Sequence, residues 1–77
     1  MGYLGDYVFI CTQHSVEKMD ALGIEKKEVE RIVAQGMKWK EEDSDKWHAQ
    51  MAGVEVVFTK RNKDFFIITV YLAGRSK

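Results

Sequence analysis

The order of apolar and polar residues predicts one strand followed by a first helix. Residues 7–11, with the sequence YVFIC, are aromatic and β-branched, which is typical of a strand. After them, apolar residues recur at a helical spacing, at Val16, Met19 and Leu22. Thr12 predicts the start of this helix, because a threonine hydroxyl can accept a hydrogen bond from a backbone N–H two or three residues later.

A second helix is predicted directly after the first. Gly23 can end the first helix in a left-handed conformation, and Ile24 can fold back onto its last turn. The sequence EKKEVERIVAQ then places Val29, Ile32 and Val33 on one apolar stripe, and Gly36 follows as a stop signal. The two helices are joined so tightly that they must form a helical hairpin or corner.

After Gly36 the apolar period falls to two, which indicates strands. Four such segments read MKWKEE, WHAQM, VEVVFTK and FFIITVYL, and the polar or glycine-containing turns EDSDK, AG and RNKD separate them. The element order is therefore β-α-α-β-β-β-β. We expect a single domain over residues 1–77 of the α+β class, with two layers: an N-terminal strand and two helices packed on a four-stranded antiparallel meander.

The register of the central hairpin follows from its apolar pairs. With Ala52 and Gly53 as the turn, three apolar pairs face each other, and a slip of one residue would destroy that agreement. These pairs are Met51 with Val54, Ala49 with Val56, and Trp47 with Phe58. Trp39 is expected opposite Trp47 on the same core face. The opposite face of the sheet carries His48 and Gln50.

The register of the last strand depends on the RNKD turn, and two alternatives are open. If the loop has an odd number of residues, Phe58 lies level with Phe66 or Ile68, and Thr69 and Tyr71 share a face with His48. This option buries Phe66, Ile68, Val70 and Leu72. If Asn62 and Lys63 alone form the turn, Phe58 faces Ile67 and both hydroxyls point under the helices. The first option is favoured, because two buried hydroxyls would need hydrogen-bond partners.

Composition narrows the class of protein. The 77 residues carry 12 basic and 12 acidic side chains, so the formal charge is zero and binding by bulk positive charge is disfavoured. Cys11 is the only cysteine, so it offers neither an internal disulfide nor a metal-ligand pair. Residues 1–11 lack the positively charged start and long apolar stretch that are typical of a signal peptide, and no run approaches the roughly 18 apolar residues of a membrane span. We therefore expect a cytoplasmic protein without a metal, a cofactor or a membrane partner.

Three short motifs in a fixed order give the chain a resemblance to a known family. The first helix opens with Thr12, His14, Lys18 and Met19, Gly23 and Ile24 lie between the helices, and the last strand contains Thr69, Val70 and Tyr71. Together they resemble a small family of prokaryotic domains of unknown function that is grouped with RelE/ParE-like toxins and related metal-independent endoribonucleases. The similarity spans nearly the whole chain.

The resemblance implies a RelE-like fold, in which some relatives cleave RNA with side chains arranged on one face of the sheet. Cleavage without a metal needs a base, an acid and a donor or cation for the phosphorane charge. The candidate catalytic residues are His14, His48, Thr69 and Tyr71, and the candidate substrate-binding residues are Lys18, Lys46, Gln50 and Arg61. Each also has an ordinary structural explanation, such as a histidine at a helix start or a lysine on a solvated face.

A non-catalytic interaction domain is the alternative. RelE/ParE-like toxins are usually basic and carry arginines in their last strands, whereas this chain is neutral and FFIITVYL contains no charge. An apolar strand at a sheet edge can pair with another chain. The candidate partners are therefore RNA for the first hypothesis, and an antitoxin-like protein or a second copy of the chain for the alternative. A ParE-like action on a protein target such as a topoisomerase lies between them.

Overall fold

The computed structural model describes residues 8–73, which form two helices and one five-stranded sheet. The elements are β1 (Val8–Cys11), α1 (Gln13–Leu22), α2 (Lys26–Gln35), β2 (Met37–Lys40), β3 (Trp47–Met51), β4 (Val54–Arg61) and β5 (Asp64–Leu72). The strands lie in the order β1-β5-β4-β3-β2. The predicted α+β class is confirmed. Tyr7, which was assigned to the first strand, lies outside the described residues.

The sheet is mixed, which differs from the four-stranded antiparallel expectation. β1 pairs with β5 in parallel, whereas the pairs β5–β4, β4–β3 and β3–β2 are antiparallel. The backbone N–H of Val8 donates to the carbonyl of Lys63 at 3.0 Å, and Phe9 and Cys11 pack against the core. The N-terminal strand therefore extends the sheet instead of packing on it.

Both helices cover one face of the sheet. In α2 the predicted stripe of Val29, Ile32 and Val33 is confirmed, since all three are buried. In α1, Met19 is buried but Val16 is exposed, which corrects the expectation that Val16 belongs to the core. Ser15 takes the buried position of that turn because its hydroxyl donates to the carbonyl of Thr12 at 2.7 Å, so its burial leaves no polar atom unpaired.

The helix ends follow the sequence signals. The Thr12 hydroxyl accepts a hydrogen bond from the N–H of Ser15 at 3.1 Å, which confirms the predicted N-cap of α1. Gly23 ends the helix with a φ of 72°, and the N–H of Ile24 donates to the carbonyl of Met19 at 2.9 Å. The predicted connection between the two helices is therefore confirmed.

The last hairpin contains a β-bulge that neither predicted alternative included. Asn62 and Lys63 form a two-residue turn, so Phe58 pairs with Ile67, but Val57 pairs with Thr69. Ile68 is the extra residue, and it reverses the alternation of faces along β5. The expected burial of Phe66 and Ile68 is therefore wrong. Leu72 lies opposite the buried Val54 but is 48% exposed at the end of β5, so its expected burial is wrong as well. The buried residues of β5 are Phe65, Ile67 and Val70.

Hydrogen bonds from Thr12 join the bulge to the start of α1. The hydroxyl of Thr12 donates to the carbonyl of Ile68 at 3.1 Å, and its backbone N–H donates to the carbonyl of Ile67 at 3.1 Å. Thr12 thus supplies a hydrogen-bond donor for the extra residue while it caps the helix. As a result, Thr69 and Tyr71 point away from the helices even though the turn has only two residues.

Strand β2 differs from the prediction in the sheet face on which Trp39 lies. The central hairpin pairs as predicted, but Trp39 lies opposite His48, and Lys40 lies opposite Trp47. Trp39 therefore lies on the sheet face away from the helices, together with Met37. Lys38 faces the helices, and its ammonium donates to the carbonyls of Ala34 and Gly36 at 3.3 and 3.0 Å. A lysine at the C-terminal end of α2 offsets the partial negative charge there.

Candidate functional site

The sheet face away from the helices, called the outer face below, carries a polar cluster made from four consecutive parts of the chain. Glu41 follows β2, His48 lies on β3, Glu55 on β4 and Tyr71 on β5. The register places Glu55 directly opposite Tyr71, and His48 lies on the neighbouring strand. We call these four residues the histidine cluster.

The histidine cluster is a continuous chain of short hydrogen bonds. His48 Nε2 lies 2.6 Å from Glu41 Oε2, and His48 Nδ1 lies 2.6 Å from Glu55 Oε2. The Tyr71 hydroxyl donates to the same Oε2 of Glu55 at 2.5 Å. The side chains of His48 and Glu55 are only 12% and 11% exposed, so the contact between them is largely shielded from water, whereas Glu41 is 39% exposed. Short bonds to a carboxylate are the strong class of hydrogen bond.

Trp39 covers the imidazole. Its ring is stacked on that of His48, with the centroids 5.2 Å apart and the planes inclined by 5°. The contact exists because the two residues are directly opposite each other on β2 and β3. Trp39 thereby holds the ring of His48 in place from one side, and the two carboxylates fix it in its own plane.

The surroundings of His48 favour the imidazolium form. Burial by itself lowers the pKa of this histidine, but the hydrogen bonds and negative charges of Glu41 and Glu55 outweigh burial, and the net pKa is raised above 6.5. In the protonated ring both nitrogens donate, one to each carboxylate. In a neutral ring one nitrogen would be an acceptor facing a carboxylate oxygen, which is unfavourable.

Tyr71 stays a phenol over the physiological range. Its hydrogen bond to Glu55, followed by burial and the charges of Glu55 and Glu41, raises the pKa of Tyr71 to about 12. The proton is stabilised because the phenolate form would place a negative charge beside two carboxylates. Tyr71 is therefore a fixed hydrogen-bond donor within the histidine cluster.

The arrangement limits the chemistry that the histidine cluster can perform. Both N–H groups of His48 and the O–H of Tyr71 are engaged within it, and two carboxylates against one imidazolium leave it net negative. Because Nδ1 and Nε2 point in opposite directions, Glu41, His48 and Glu55 do not converge on one point. Among residues 8–73 we find no group of three histidine, cysteine, aspartate or glutamate side chains that could hold a metal ion.

Four of the predicted site residues lie on the outer face. His48 and Tyr71 are joined through Glu55, and this brings together two of the candidate catalytic residues. Gln50 lies opposite Glu55, and Val57 separates Thr69 from His48 in one row across the strands. The predicted common face of His48, Gln50, Thr69 and Tyr71 is therefore present.

The other predicted residues are placed elsewhere. His14 and Lys18 belong to α1, which packs on the opposite side of the sheet from the histidine cluster, and His14 is exposed there. Lys46 is exposed in the loop between β2 and β3, and Arg61 is exposed at the end of β4 opposite Asp64. The structure thus does not bring the candidate phosphate-binding cations into the histidine cluster.

Three members of the site were missed by sequence reasoning. Glu41 and Glu55 were not among the candidate residues, and Trp39 was expected on the core face. For Glu55 a signal exists, since it is the single charged residue in the otherwise apolar run VEVVF. A carboxylate there, one strand from a histidine, needs a partner when buried.

Comparison of the chain with protein-family models, curated proteins and solved structures gave no match. Neither of the two helices within residues 8–73 has the length and apolar content that crossing a membrane requires.

We expect the free energy of unfolding to fall as pH rises through the pKa of His48. This pKa is raised in the folded protein, so the stabilisation is complete below the unfolded value of about 6.5 and is lost as pH exceeds the folded value. Urea unfolding from about pH 5 to about pH 9 measures the free energy of unfolding, and an NMR titration of the His48 ring measures its pKa.

Two matched glutamate variants test whether the carboxylate of Glu41 raises the pKa of His48. Glu41→Gln should lower the pKa of His48, because it removes a negative charge that bonds to Nε2. Glu42→Gln, in the exposed neighbouring residue, should leave it unchanged. A wild-type pKa for His48 below about 6.5 would contradict the imidazolium assignment.

Proposed function

We propose that the protein is a non-catalytic interaction domain that binds a protein partner across the outer face. The strongest support is that the side chains of the histidine cluster bond to one another, while the rings of Trp39 and Tyr71 remain partly exposed on the same face. The donors of the cluster bond to carboxylates within it and not outward, so the cluster fixes side chains in place and presents little free acid or base. A rigid patch of this kind reduces the entropy lost on association.

The exposed residues around the cluster have the composition of an interface centre. Met37 is 72% exposed, Trp39 is 38% exposed and Tyr71 is 36% exposed. Tryptophan, tyrosine and methionine are enriched in interfaces, and tryptophan and tyrosine are frequent hot spots. Stacking on His48 holds Trp39, and the bond to Glu55 holds Tyr71, so both rings are oriented before a partner arrives.

The charge of the outer face indicates the chemistry of the partner. Glu41 and Glu55 outnumber the single imidazolium, and the carboxylates retain oxygen atoms able to accept further hydrogen bonds. The face therefore suits a protein surface that combines apolar side chains with lysine or arginine. An antitoxin-like protein or a second copy of this chain, in the cytoplasm, is the proposed partner.

A RelE/ParE-like toxin-related domain that cleaves or binds RNA is the second candidate. The contact of an imidazole and a phenol with one carboxylate favours it, since His48, Glu55 and Tyr71 offer the residue types of general acid–base catalysis. The β-α-α-β-β-β-β order predicted for a RelE-like topology also favours it. The net negative charge of the cluster opposes an approaching phosphate, which places this candidate second.

We expect removal of Trp39 to weaken partner binding. A tagged full-length chain is used to purify partners from the source cells, the partner is identified, and its affinity is then measured with purified components. Light scattering over a range of concentrations measures self-association separately. Trp39→Ala should weaken binding by about 2 kcal/mol or more, roughly 30-fold, as truncation of a central aromatic does.

Val16→Ala is the matched control, because Val16 is an exposed apolar residue on α1 and not on the outer face. It should bind as the wild type does. A chain that is strictly monomeric and retains no partner, or a Trp39→Ala variant with unchanged affinity, would count against the interaction proposal.

The RNA-cleaving candidate gives a different expectation. If purified protein cleaves single-stranded RNA, His48→Ala and Tyr71→Phe should each reduce the rate by about 100-fold or more, the size of a lost acid or base. His14→Ala, which changes the helix layer, serves as the comparison. Absence of cleavage by the intact protein, or full activity in both outer-face variants, removes this candidate.

A further inference from the structure

A second concave site lies on the helix side of the sheet. A cleft of about 280 Å³ opens between the C-terminal half of α2 and strands β3, β4 and β5. Val33, Phe58 and Phe65 line it and are buried, so they form its floor. The rings of Phe58 and Phe65 meet edge to face, with centroids 5.6 Å apart and planes at 66°. The floor is therefore apolar and largely aromatic.

The sides of the cleft combine apolar and cationic residues. Ala34 and Trp47 are half-buried, whereas Lys38 and Lys60 are exposed and form the rim. The ammonium of Lys60 lies 5.9 Å from the centroid of the Phe65 ring. Among the described residues that line the cleft, the charged side chains are these two lysines, although the whole chain is neutral.

Lys38 makes the rim suitable for an anion despite the adjacent helix end. The C-terminus of α2 carries partial negative charge, which would repel an anion. Lys38 donates to the carbonyls of Ala34 and Gly36, so it offsets this charge at the point where the cleft opens. An ammonium has three protons, and two bonds leave one donor for a ligand.

We propose that this cleft binds a small amphipathic anion, a monocarboxylate with an apolar body of medium length. The apolar floor takes the body, and Lys38 and Lys60 face the carboxylate. A volume of about 280 Å³ is about twice that of an apolar cavity of about 150 Å³ that holds a benzene ring, so it has room for an eight-carbon chain such as octanoate. The site is separate from the outer face and does not depend on the function proposed for it.

Tryptophan fluorescence tests the proposal with a single reporter. The chain has two tryptophans, Trp39 on the outer face and Trp47 in the cleft, so the Trp39→Phe protein reports from the cleft alone. Titration with sodium octanoate should give a saturable change in Trp47 emission. Acetate should give none, because it has no apolar body, and octyltrimethylammonium should bind more weakly, because its head group is repelled by the lysines.

Variants locate the site. Ala34→Leu adds volume inside the cleft and should weaken octanoate binding by more than about tenfold, since a filled pocket cannot accept the body. Lys60→Gln should weaken it by about two- to fivefold, the range for an exposed charge contact. Lys27→Gln changes an exposed lysine at the other end of α2 and should have no effect.

Amide NMR spectra of the octanoate-bound protein should show their largest shifts at Val33, Ala34, Phe58 and Phe65. Absence of saturable binding, equal affinity for octanoate and octyltrimethylammonium, or wild-type affinity in both Ala34→Leu and Lys60→Gln would overturn the proposal. If Ala34→Leu does not fold, the surface variant Lys60→Gln and the NMR shifts decide the question.

Discussion

The β-bulge at Ile68 is the constraint on which the rest of the structure depends. On the turn side of the bulge, Phe65 and Ile67 lie in the core. On the other side, Val70 lies in the core and Tyr71 lies on the outer face. An unbroken strand would place either Ile67 or Val70 on the wrong face. One extra residue therefore allows β5 to complete both the apolar core and the histidine cluster.

The histidine cluster in turn links β2 to β5 across the outer face. His48 lies between two carboxylates, Tyr71 closes the chain at Glu55, and Trp39 covers the ring. A buried carboxylate is costly unless it is paired, and the buried Glu55 bonds to both His48 and Tyr71. The same pairing that makes Glu55 tolerable in the sheet also holds Trp39 and Tyr71 in fixed orientations, so stability and the proposed binding surface share one set of contacts.

The sequence predicted most of the fold because its signals are local. Thr12, Gly23 and the stripe of Val29, Ile32 and Val33 act within a few residues, and the AG turn fixes the central hairpin. The features that were not predicted depend on non-local geometry. A bulge has no sequence signature in FFIITVYL, and Trp39 changes face because the six-residue connection from 41 to 46 sets the register of β2. Since the cluster combines four separate segments, Glu41 could not be assigned to it from its local sequence.

A double-mutant cycle between Glu55 and Tyr71 tests the central claim most directly, because these residues meet only if the bulge places both on the outer face. The free energy of unfolding is measured for the wild type, Glu55→Ala, Tyr71→Phe and the double variant. Residues in contact should show a coupling energy of about 0.5–3 kcal/mol. Additive effects, within about 0.3–0.5 kcal/mol, would contradict the account, because they would mean that Tyr71 does not bond to Glu55.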